Sequence, residues 1–318
     1  MKKVIKVNFC DFWPDFVWEK SIIYKALSKK YKLTLSEKPD FLFYSCFSNQ
    51  NNKFSECVKI SFIEENVVPD FNKCDYAISP HYITFDDIHF RYCPAVYDEK
   101  LRLRNIDNPE NRKFCNFIYF NINSGAGAII RSEFCKKLSE YKYVDCPGYV
   151  LNNMKNAIEP RNGNWRKGKQ QFIKDYKFTI AFENTCNNGY TTEKLTDAFI
   201  SYSIPIYWGN PLVHRDFNPK AFINCNDFSS FDEVIEYVKF LDNNDSLYLE
   251  MLNSPPLLFN PEQREKELEN FLYNIIEKGN KPFQKNLFYT ENALTSKKSN
   301  SLGRRMKNFI RKHVLQNK

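Results

Sequence analysis

Two features that would place this protein in a membrane-spanning or zinc-binding class are missing from its sequence. No stretch approaches the roughly 20 apolar residues that a membrane-spanning helix needs. The ten cysteines include no CxxC pair, and the four histidines are not grouped with them, so no zinc site is predicted. The N-terminal residues have no apolar run before Asp11, which indicates a first strand rather than a signal peptide. We therefore expect a cytoplasmic protein with reduced, mostly buried cysteines.

An excess of positive charge is also missing from most of the chain. The formal net charge is +8, but residues 1–291 hold 38 basic and 38 acidic side chains. The whole excess lies in residues 292–318, which hold eight Lys or Arg and no acidic residue. A nucleic-acid-binding fold usually spreads positive charge over a face of its folded part. The neutral body therefore argues against a basic nucleic-acid-binding protein, the alternative from a different functional class.

The 318 residues, 42% of them hydrophobic, suffice for two domains with apolar cores. Short β-branched and aromatic runs alternate with helical patterns, which is typical of α/β domains with parallel sheets. The polar segment 98–113 has no apolar run and indicates a domain boundary. We predict domains at 1–108 and 109–290, followed by a tail at 291–318. The predicted strands are 4–9, 40–47, 58–63, 117–122, 178–183 and 203–208, and the predicted helices are 17–30, 128–141, 191–202, 230–241, 246–253 and 261–278.

The densest chemical signal is the segment 176–211, YKFTIAFENTCNNGYTTEKLTDAFISYSIPIYWGNP. An apolar strand ends at Glu183, a polar loop follows, and a helix opens with Glu193 and Lys194 in its first turn. Ligands of open α/β sheets bind beyond the carboxyl ends of the strands, and a helix N-terminus attracts phosphate. Lys194 would add a full positive charge, and Glu193 could accept hydrogen bonds from ribose hydroxyls. The alternative is an ordinary strand-to-helix turn in which Glu193 serves only the helix dipole.

Within this segment, the residues FEN, Y-x-TEKL and IP-I-YWG resemble the donor-binding motif of the α-1,3/4-fucosyltransferases, glycosyltransferase family 10. The resemblance continues more weakly at 216–241, reaches the N-terminal half at 62–79, and is greatest to bacterial members. It implies an α/β GT-B fold, in which two Rossmann-like domains face a cleft. The acceptor-binding domain would be 1–108 and the GDP-fucose-binding domain 109–290. The implied reaction moves L-fucose from GDP-β-L-fucose to a glycan hydroxyl with inversion at the sugar carbon.

The resemblance also implies roles for individual residues. Glu65 falls on the family's proposed general base, but Glu64 stands beside it, so two adjacent acids compete for that role. Without the resemblance, both would be read as solvated loop acids. The other residues to which the resemblance gives a role contact the donor, and they are Arg131, Asn184, Tyr190, Glu193 and Lys194. Arg131 would bind the donor phosphates.

The chemistry of an inverting transfer calls for these residue types. One carboxylate must accept the proton of the acceptor hydroxyl, and the leaving diphosphate must be stabilised. Many sugar-nucleotide transferases hold a divalent metal through a D-x-D motif, and this sequence has none. Fixed cations would then stabilise the developing charge, and Arg131 and Lys194 are the natural pair. No cofactor is expected to be required, and a divalent metal would at most stimulate. The alternative for Arg131 is an exposed charge on a helix surface.

The tail has apolar residues at i, i+4, i+7, i+8 and i+12 from Leu302, with basic residues over much of the remainder. This pattern predicts a basic amphipathic helix that contacts an anionic membrane at the inner face of the cell membrane. A solvated tail is the alternative. The expected acceptor is an oligosaccharide or lipid-linked glycan, as in lipopolysaccharide synthesis or another glycosylation pathway, and its 3-OH of N-acetylglucosamine is the expected acceptor group. Linkage to the 4-OH and a related transferase using another sugar nucleotide stay open.

Overall fold

The computed structural model describes residues 2–83, 87–101, 111–121, 126–155, 158 and 165–283. The chain divides into two compact units, each an α/β domain with its own parallel sheet. The first unit comprises residues 2–94 and 260–283, and the second comprises 95–259. The α/β class and the presence of two parallel sheets, as predicted, are confirmed. The tail lies outside the described residues.

The first unit contains a six-stranded sheet in which every pairing is parallel. Parallel strands covered on both faces read as continuous apolar runs, and the central strands FLFY, VKISF and YAIS are buried at every position. The strand order is β2-β1-β3-β4-β5-β6. The strands are β1 Lys3–Cys10, β2 Tyr31–Leu35, β3 Phe41–Tyr44, β4 Val58–Phe62, β5 Tyr76–Ser79 and β6 His89–Arg91.

The second unit contains a five-stranded sheet in which every pairing is parallel. The strands are β7 Lys113–Asn116, β8 Val144–Asp145, β9 Tyr176–Phe182, β10 Ile204–Trp208 and β11 Ile223–Asn224. The strand order is β11-β10-β9-β7-β8. Six of the seven residues of the central strand β9 are buried, and its neighbours β7 and β10 pair with it along most of its length.

Five of the helices of the described residues begin where a polar side chain caps free backbone N–H groups. Ser21, Thr192, Ser230, Asn244 and Asn260 each accept a hydrogen bond from an N–H group of the following helix. The helices are α1 Ile22–Ser28, α2 Ala126–Ser139, α3 Trp165–Ile173, α4 Glu193–Ile200, α5 Phe231–Asp242, α6 Asp245–Asn253 and α7 Pro261–Glu277.

The strand predicted at 117–122 lies too far along the chain. The observed strand β7 ends at Asn116, and one further bond, from the Phe117 N–H to the Asp145 carbonyl at 2.9 Å, ends its pairing. Tyr119 then directs its hydroxyl to β9, where it accepts from the Phe182 N–H at 2.7 Å. The side chain of Tyr119 therefore bonds to backbone groups in the last residues of β9. Residue 122 lies outside the described residues.

The predicted division at 108/109 also differs from the two units. The predicted boundary segment includes a 3₁₀ turn at Glu99–Leu101, and residues 102–110 lie outside the described residues. The predicted domain at 109–290 includes helix α7, but α7 packs on α1 of the first unit. Tyr273 donates to the Ala26 carbonyl at 3.0 Å, and Glu277 accepts from Tyr31 at 2.7 Å. A chain that returns to its first unit cannot be divided by one linear boundary.

Candidate functional site

The candidate site lies at the carboxyl end of β9 in the second unit, where the sequence predicted it. Glu183 and Asn184 follow the strand, and the loop after them ends at the N-cap residue Thr192 of α4. The predicted strand, loop and helix are therefore present. Because α4 begins beside the end of β9, its first turn places Glu193 and Lys194 next to Glu183.

Glu183 is fully buried and organises this corner of the sheet. Its carboxylate accepts from the Thr192 N–H at 2.8 Å, from the Thr192 hydroxyl at 2.8 Å, and from the Lys194 ammonium at 3.1 Å. Gly209 lies against it, since a Cβ there would come within 2.5 Å of the Glu183 Cγ. A buried carboxylate is tolerated only when such donors surround it. Glu183 therefore fixes both the cap and the first-turn lysine.

The charges of the first turn of α4 stabilise one another. Burial disfavours the ammonium of Lys194, but Glu183 and Glu193 more than offset this effect and raise the pKa of Lys194 well above its ordinary value. Burial disfavours the carboxylate of Glu193, but Lys194 and Lys169 outweigh burial and lower the pKa of Glu193 to about 2. Both groups are therefore ionised at neutral pH. Glu193 stands 3.7 Å from the ammonium and remains partly exposed.

The loop between β9 and α4 is held by a buried amide. Asn210 accepts from the Gly189 N–H at 2.8 Å and from the Leu212 N–H at 2.9 Å, while its amide group donates to the Thr191 hydroxyl at 3.1 Å. Gly189 adopts a φ of 94°, which favours glycine at that turn. The neighbouring Tyr190 is buried beside this turn, and its hydroxyl is one of the groups that raise the pKa of Lys194.

Helix α2 brings Arg131 to the same end of β9. Its second residue, Gly127, donates its N–H to the Asn184 carbonyl at 3.0 Å. A Cβ on Gly127 would come within 2.4 Å of the Glu183 carbonyl oxygen, so the close approach of helix and strand requires glycine. Residues 122–125, which precede this helix, lie outside the described residues. The glycine in this segment thus has a packing role that its sequence position alone did not reveal.

Arg131 is buried, contrary to the alternative in which it is an exposed charge on a helix surface. Its guanidinium carbon lies 4.1 Å from the centre of the Tyr119 ring, and it donates to the Asn121 carbonyl. Burial lowers the pKa of Arg131, and the negative charge of Glu183 is among the opposing influences. Burial raises the pKa of Tyr119, and the positive charges of Arg131 and Lys194 both oppose this effect. The two predicted cations therefore converge on one pair of residues, Tyr119 and Glu183.

A second buried ion cluster joins α4 to α3. Asp197 is fully buried and accepts from Arg166 at 2.8 Å, Lys169 at 3.0 Å and Gln170 at 2.7 Å, all on α3. Arg166 also pairs with Asp98 at 2.8 Å. Uncompensated buried charges are costly, so the cluster fixes α4 relative to α3. Helix α4 is thereby held by Glu183 at its first turn and through Asp197 at its middle.

The predicted base, Glu65, belongs to the first unit. Glu64 and Glu65 follow β4 by two and three residues, and Glu65 is exposed while Glu64 is partly buried. Burial, and then the negative charge of Glu65, raise the pKa of Glu64 to about 7. The structure gives the two carboxyls different environments and leaves both as candidates.

Five of the six predicted site residues therefore meet around the end of β9: Arg131, Asn184, Tyr190, Glu193 and Lys194. Sequence reasoning missed Tyr119 and Asn210, and it noted Glu183 only as the end of a strand. The sequence did carry a signal for Glu183: it is an acidic residue that ends an apolar strand and precedes a helix with a lysine in its first turn. Within the described ranges, no group of three or more His, Cys, Asp or Glu could hold a metal ion. No helix there is long and apolar enough to cross a bilayer.

Two family models match the chain. The first, described as the alpha-(1,3)-fucosyltransferase FucT N-terminal domain, matches residues 7–97. The second, described as glycosyltransferase family 10 (fucosyltransferase) C-term, matches residues 110–254. A Helicobacter pylori protein named alpha-(1,3)-fucosyltransferase FucT is 31% identical over 301 residues, which cover 80% of this chain and 60% of that protein. The chain thus spans less than two thirds of the length of this relative.

Two solved structures are similar to this chain over most of its length. A crystal structure of an alpha1,3-fucosyltransferase with GDP has a TM-score of 0.71 and 29% sequence identity, covering 87% of this chain and 91% of that one. The crystal structure with GDP-fucose has a TM-score of 0.70 and 29% identity, covering 91% and 93%. The similarity therefore extends across both units.

Proposed function

The chain belongs to glycosyltransferase family 10, and on this premise we propose that it transfers L-fucose from GDP-β-L-fucose to a hydroxyl of a glycan acceptor. The observation that carries the proposal is the convergence of Arg131 and Lys194 on Tyr119 and Glu183 at the end of β9. Cations held at the carboxyl edge of a parallel sheet, beside a helix N-terminus, suit a diphosphate. The GDP and GDP-fucose complexes of the similar structures support the same donor.

The donor would be bound by the groups that surround Lys194. Arg131 and Lys194 neutralise the two phosphates, and the N-terminus of α4 adds its dipole. Glu193, ionised and partly exposed, accepts hydrogen bonds from ribose hydroxyls. Asn184 and Tyr190 complete the donor contacts at the two ends of the loop. Glu183 remains beneath them and holds the lysine in place.

The reaction would be a single displacement with inversion. The acceptor oxygen attacks the anomeric carbon of fucose, a carboxylate takes the proton of that hydroxyl, and the bond between the anomeric carbon and the phosphate oxygen breaks. GDP leaves with the electron pair, and Arg131 and Lys194 stabilise its additional negative charge. Glu65 is the proposed base, with Glu64 as the neighbouring candidate.

The proposed acceptor is an oligosaccharide or lipid-linked glycan, with the 3-OH of N-acetylglucosamine as the acceptor hydroxyl. The basic, amphipathic sequence of residues 292–318 supports contact with the anionic inner face of the cell membrane, where a lipid-linked glycan such as a lipopolysaccharide precursor would be modified. No cofactor is proposed to be required, and a divalent metal would at most stimulate the reaction.

The test of this function is transfer from radiolabelled GDP-fucose to a panel of β-linked galactose and N-acetylglucosamine acceptors, with linkage analysis of the product. GDP-mannose, UDP-galactose and UDP-N-acetylglucosamine serve as competing donors in parallel reactions. We expect label in a fucosylated product only with GDP-fucose, and an α-1,3 linkage. Preferred use of another sugar nucleotide would overturn the assignment of GDP-fucose as donor, but it would not affect the assignment of the chain to its family.

A further inference from the structure

The loops that follow β1, β3 and β4 lie side by side at the carboxyl edge of the first sheet. The three strands are neighbours, and Tyr44, the last residue of β3, pairs with Cys10 on one side and Ser61 on the other. Pairing continues past β1, because the Phe47 N–H donates to the Asp11 carbonyl at 2.9 Å. Neighbouring strands are about 5 Å apart. The loop that carries Phe47 is therefore adjacent to the loop that carries Glu64 and Glu65.

Aromatic rings crowd this edge, and Trp13 and Phe47 are among those that reach solvent. Phe12 stacks on Phe16 at 3.8 Å and packs against Phe62, the last residue of β4, at 6.1 Å. Trp13 contacts the edge of Phe47 at 6.2 Å between ring centres. Trp13 is partly exposed, and Phe47 is 49% exposed. Exposed aromatic rings that adjoin one another indicate a binding surface rather than core packing.

The arrangement of this aromatic pair is fixed by a buried carboxylate. Asp11 has a φ of 60°, in the left-handed region that Asp tolerates, and this turn starts the segment that carries Trp13. The Asp11 carboxylate accepts from the Gln50 N–H at 2.7 Å, from the Asn51 N–H at 3.0 Å, from the Asn51 amide at 2.6 Å, and from the Ser48 hydroxyl. It thereby ties the loop that carries Phe47 to the segment that carries Trp13.

The aromatic pair also lies close to the candidate base. Burial is the main influence that raises the pKa of the Cys46 thiol, and the negative charge of Glu65 adds to it. Cys46 immediately precedes Phe47, so the carboxylate of Glu65 acts within the same loop neighbourhood. A sugar ring placed over Phe47 would therefore lie in the neighbourhood of Glu65.

From this geometry we propose that Trp13 and Phe47 form a stacking surface for the apolar face of one pyranose ring of the acceptor. Asp11 is the positioning residue that holds this surface beside Glu64 and Glu65. The apolar, C–H-bearing faces of β-linked galactose and N-acetylglucosamine suit such a surface, and large aromatic rings supply contact area at small entropic cost. The inference rests on the proposed function and adds the acceptor site to it.

The test measures donor use and acceptor use separately in full-length Phe47→Ala and Trp13→Ala. The acceptor is β-galactosyl-(1→4)-N-acetylglucosamine, and donor use is followed by hydrolysis of GDP-fucose without acceptor. We expect the acceptor KM to rise roughly 3- to 10-fold in each variant, the range that loss of one aromatic contact gives. The KM for GDP-fucose and the hydrolysis rate should stay within a factor of about two. Phe47→Tyr, which keeps the ring, should restore the acceptor KM.

The matched control is Phe283→Ala. Phe283 is also partly exposed in the first unit, but it packs on Tyr76 and bonds to Asp75, at the amino end of β5. Its removal should leave the acceptor KM unchanged. Ser48→Ala, which removes one donor to Asp11, should raise the acceptor KM without changing the melting temperature by more than a few degrees.

Unchanged acceptor KM in both Phe47→Ala and Trp13→Ala, with an active parent, would overturn the stacking surface alone. A parent that uses neither GDP-fucose nor this class of acceptor would overturn the proposed function and the surface together. If Phe47→Ala unfolds, the comparison is made between Phe47→Leu and Phe47→Tyr, and equal acceptor KM values in that pair would also overturn the surface.

Discussion

The carboxylate of Glu183 lies 3.1 Å from the ammonium of Lys194, and the two are joined again through the hydroxyl of Thr192. The pair therefore forms a closed unit at the end of β9. Glu193 adds a second carboxylate at 3.7 Å, so Lys194 is held in position by two carboxylates. Arg131, held over the Tyr119 ring, contributes the other cation. The site thus combines a cation that is already paired with a second one on a separate helix.

Replacing Glu183 with Gln should destabilise the protein by about 3 kcal/mol. The change leaves the partly buried Lys194 ammonium without its nearest carboxylate, and breaking an ion pair with a buried partner from one side has roughly this effect. Glu193→Gln is the matched control, because its carboxylate is 31% exposed and farther from the ammonium, and it should destabilise the protein less than Glu183→Gln does. Urea denaturation of both variants measures the difference. Equal stability losses would show that Glu183 has no special role in holding the lysine.

Removing either cation should impair donor use. Arg131→Ala and Lys194→Ala should each lower kcat/KM for GDP-fucose by a factor of about 10²–10³. Each variant loses a positive charge that stabilises the negative charge developing on the leaving diphosphate. Lys113→Ala, at the start of β7 and 58% exposed, is the control for loss of a lysine from the same unit and should have little effect. The parent should keep substantial activity in chelator. Complete loss of activity that added metal restores would contradict the role given to these cations.

The strands β1, β3, β4, β9 and β10 were predicted from short apolar or aromatic runs, and β7 was placed too far along the chain. The strands β2, β5, β6, β8 and β11 were not predicted. Strand β5 is buried at every position but has only four residues, and β8 and β11 have two each, which is too short to carry a periodic pattern. Helix α3, WRKGKQQFI, was missed because its buried positions include Lys169 and Gln170, which bind Asp197 rather than an apolar core. Local hydrophobicity cannot report an element that is held by ion pairs.

The site was predicted in outline for a different reason. A strand end, a glycine-containing turn and a capped helix follow one another in the sequence, so Lys194 and Glu193 could be placed from local signals alone. The contribution of Tyr119 depends on a hydroxyl that reaches β9 from the segment after β7, and no local pattern encodes it. The approach of α2 through Gly127 is likewise a contact between segments distant in sequence.

The two adjacent acids of the first unit should differ in their effect on turnover. Glu65→Gln should fold, bind GDP and lose kcat by a factor of about 10² or more, as removal of a general base does. Glu64→Gln should retain most of the turnover. Steady-state kinetics of both variants, with GDP binding measured by calorimetry, decide between the two carboxyls. A large loss in Glu64→Gln with a small loss in Glu65→Gln would assign the base to Glu64.

Glu64 should also make stability depend on pH. Its pKa is about 7 in the folded protein, against an ordinary value of 4.5. Below pH 4.5 the carboxyl is protonated in both states, and between pH 4.5 and 7 only the folded state keeps the proton, so the contribution of Glu64 to stability falls as pH rises. The melting temperature of the parent should fall relative to that of Glu64→Gln across this window. Parallel pH profiles for the two proteins would show that burial does not perturb Glu64.

The last prediction concerns the tail, whose sequence carries the whole net charge. Each Lys or Arg near an anionic membrane contributes roughly 1 kcal/mol to attachment, and burial of the apolar stripe adds to it. Truncation after Glu291 leaves the described chain intact, so it should release the protein from anionic vesicles and preserve transfer to a small soluble acceptor. Co-sedimentation of full-length and truncated protein at low and high salt measures the attachment, and a parallel assay measures the activity. Attachment of the full-length form should weaken at high salt, because screening acts on its electrostatic part. Equal sedimentation of the two forms would remove the membrane role, and loss of activity on truncation would mean that the tail supports the catalytic body.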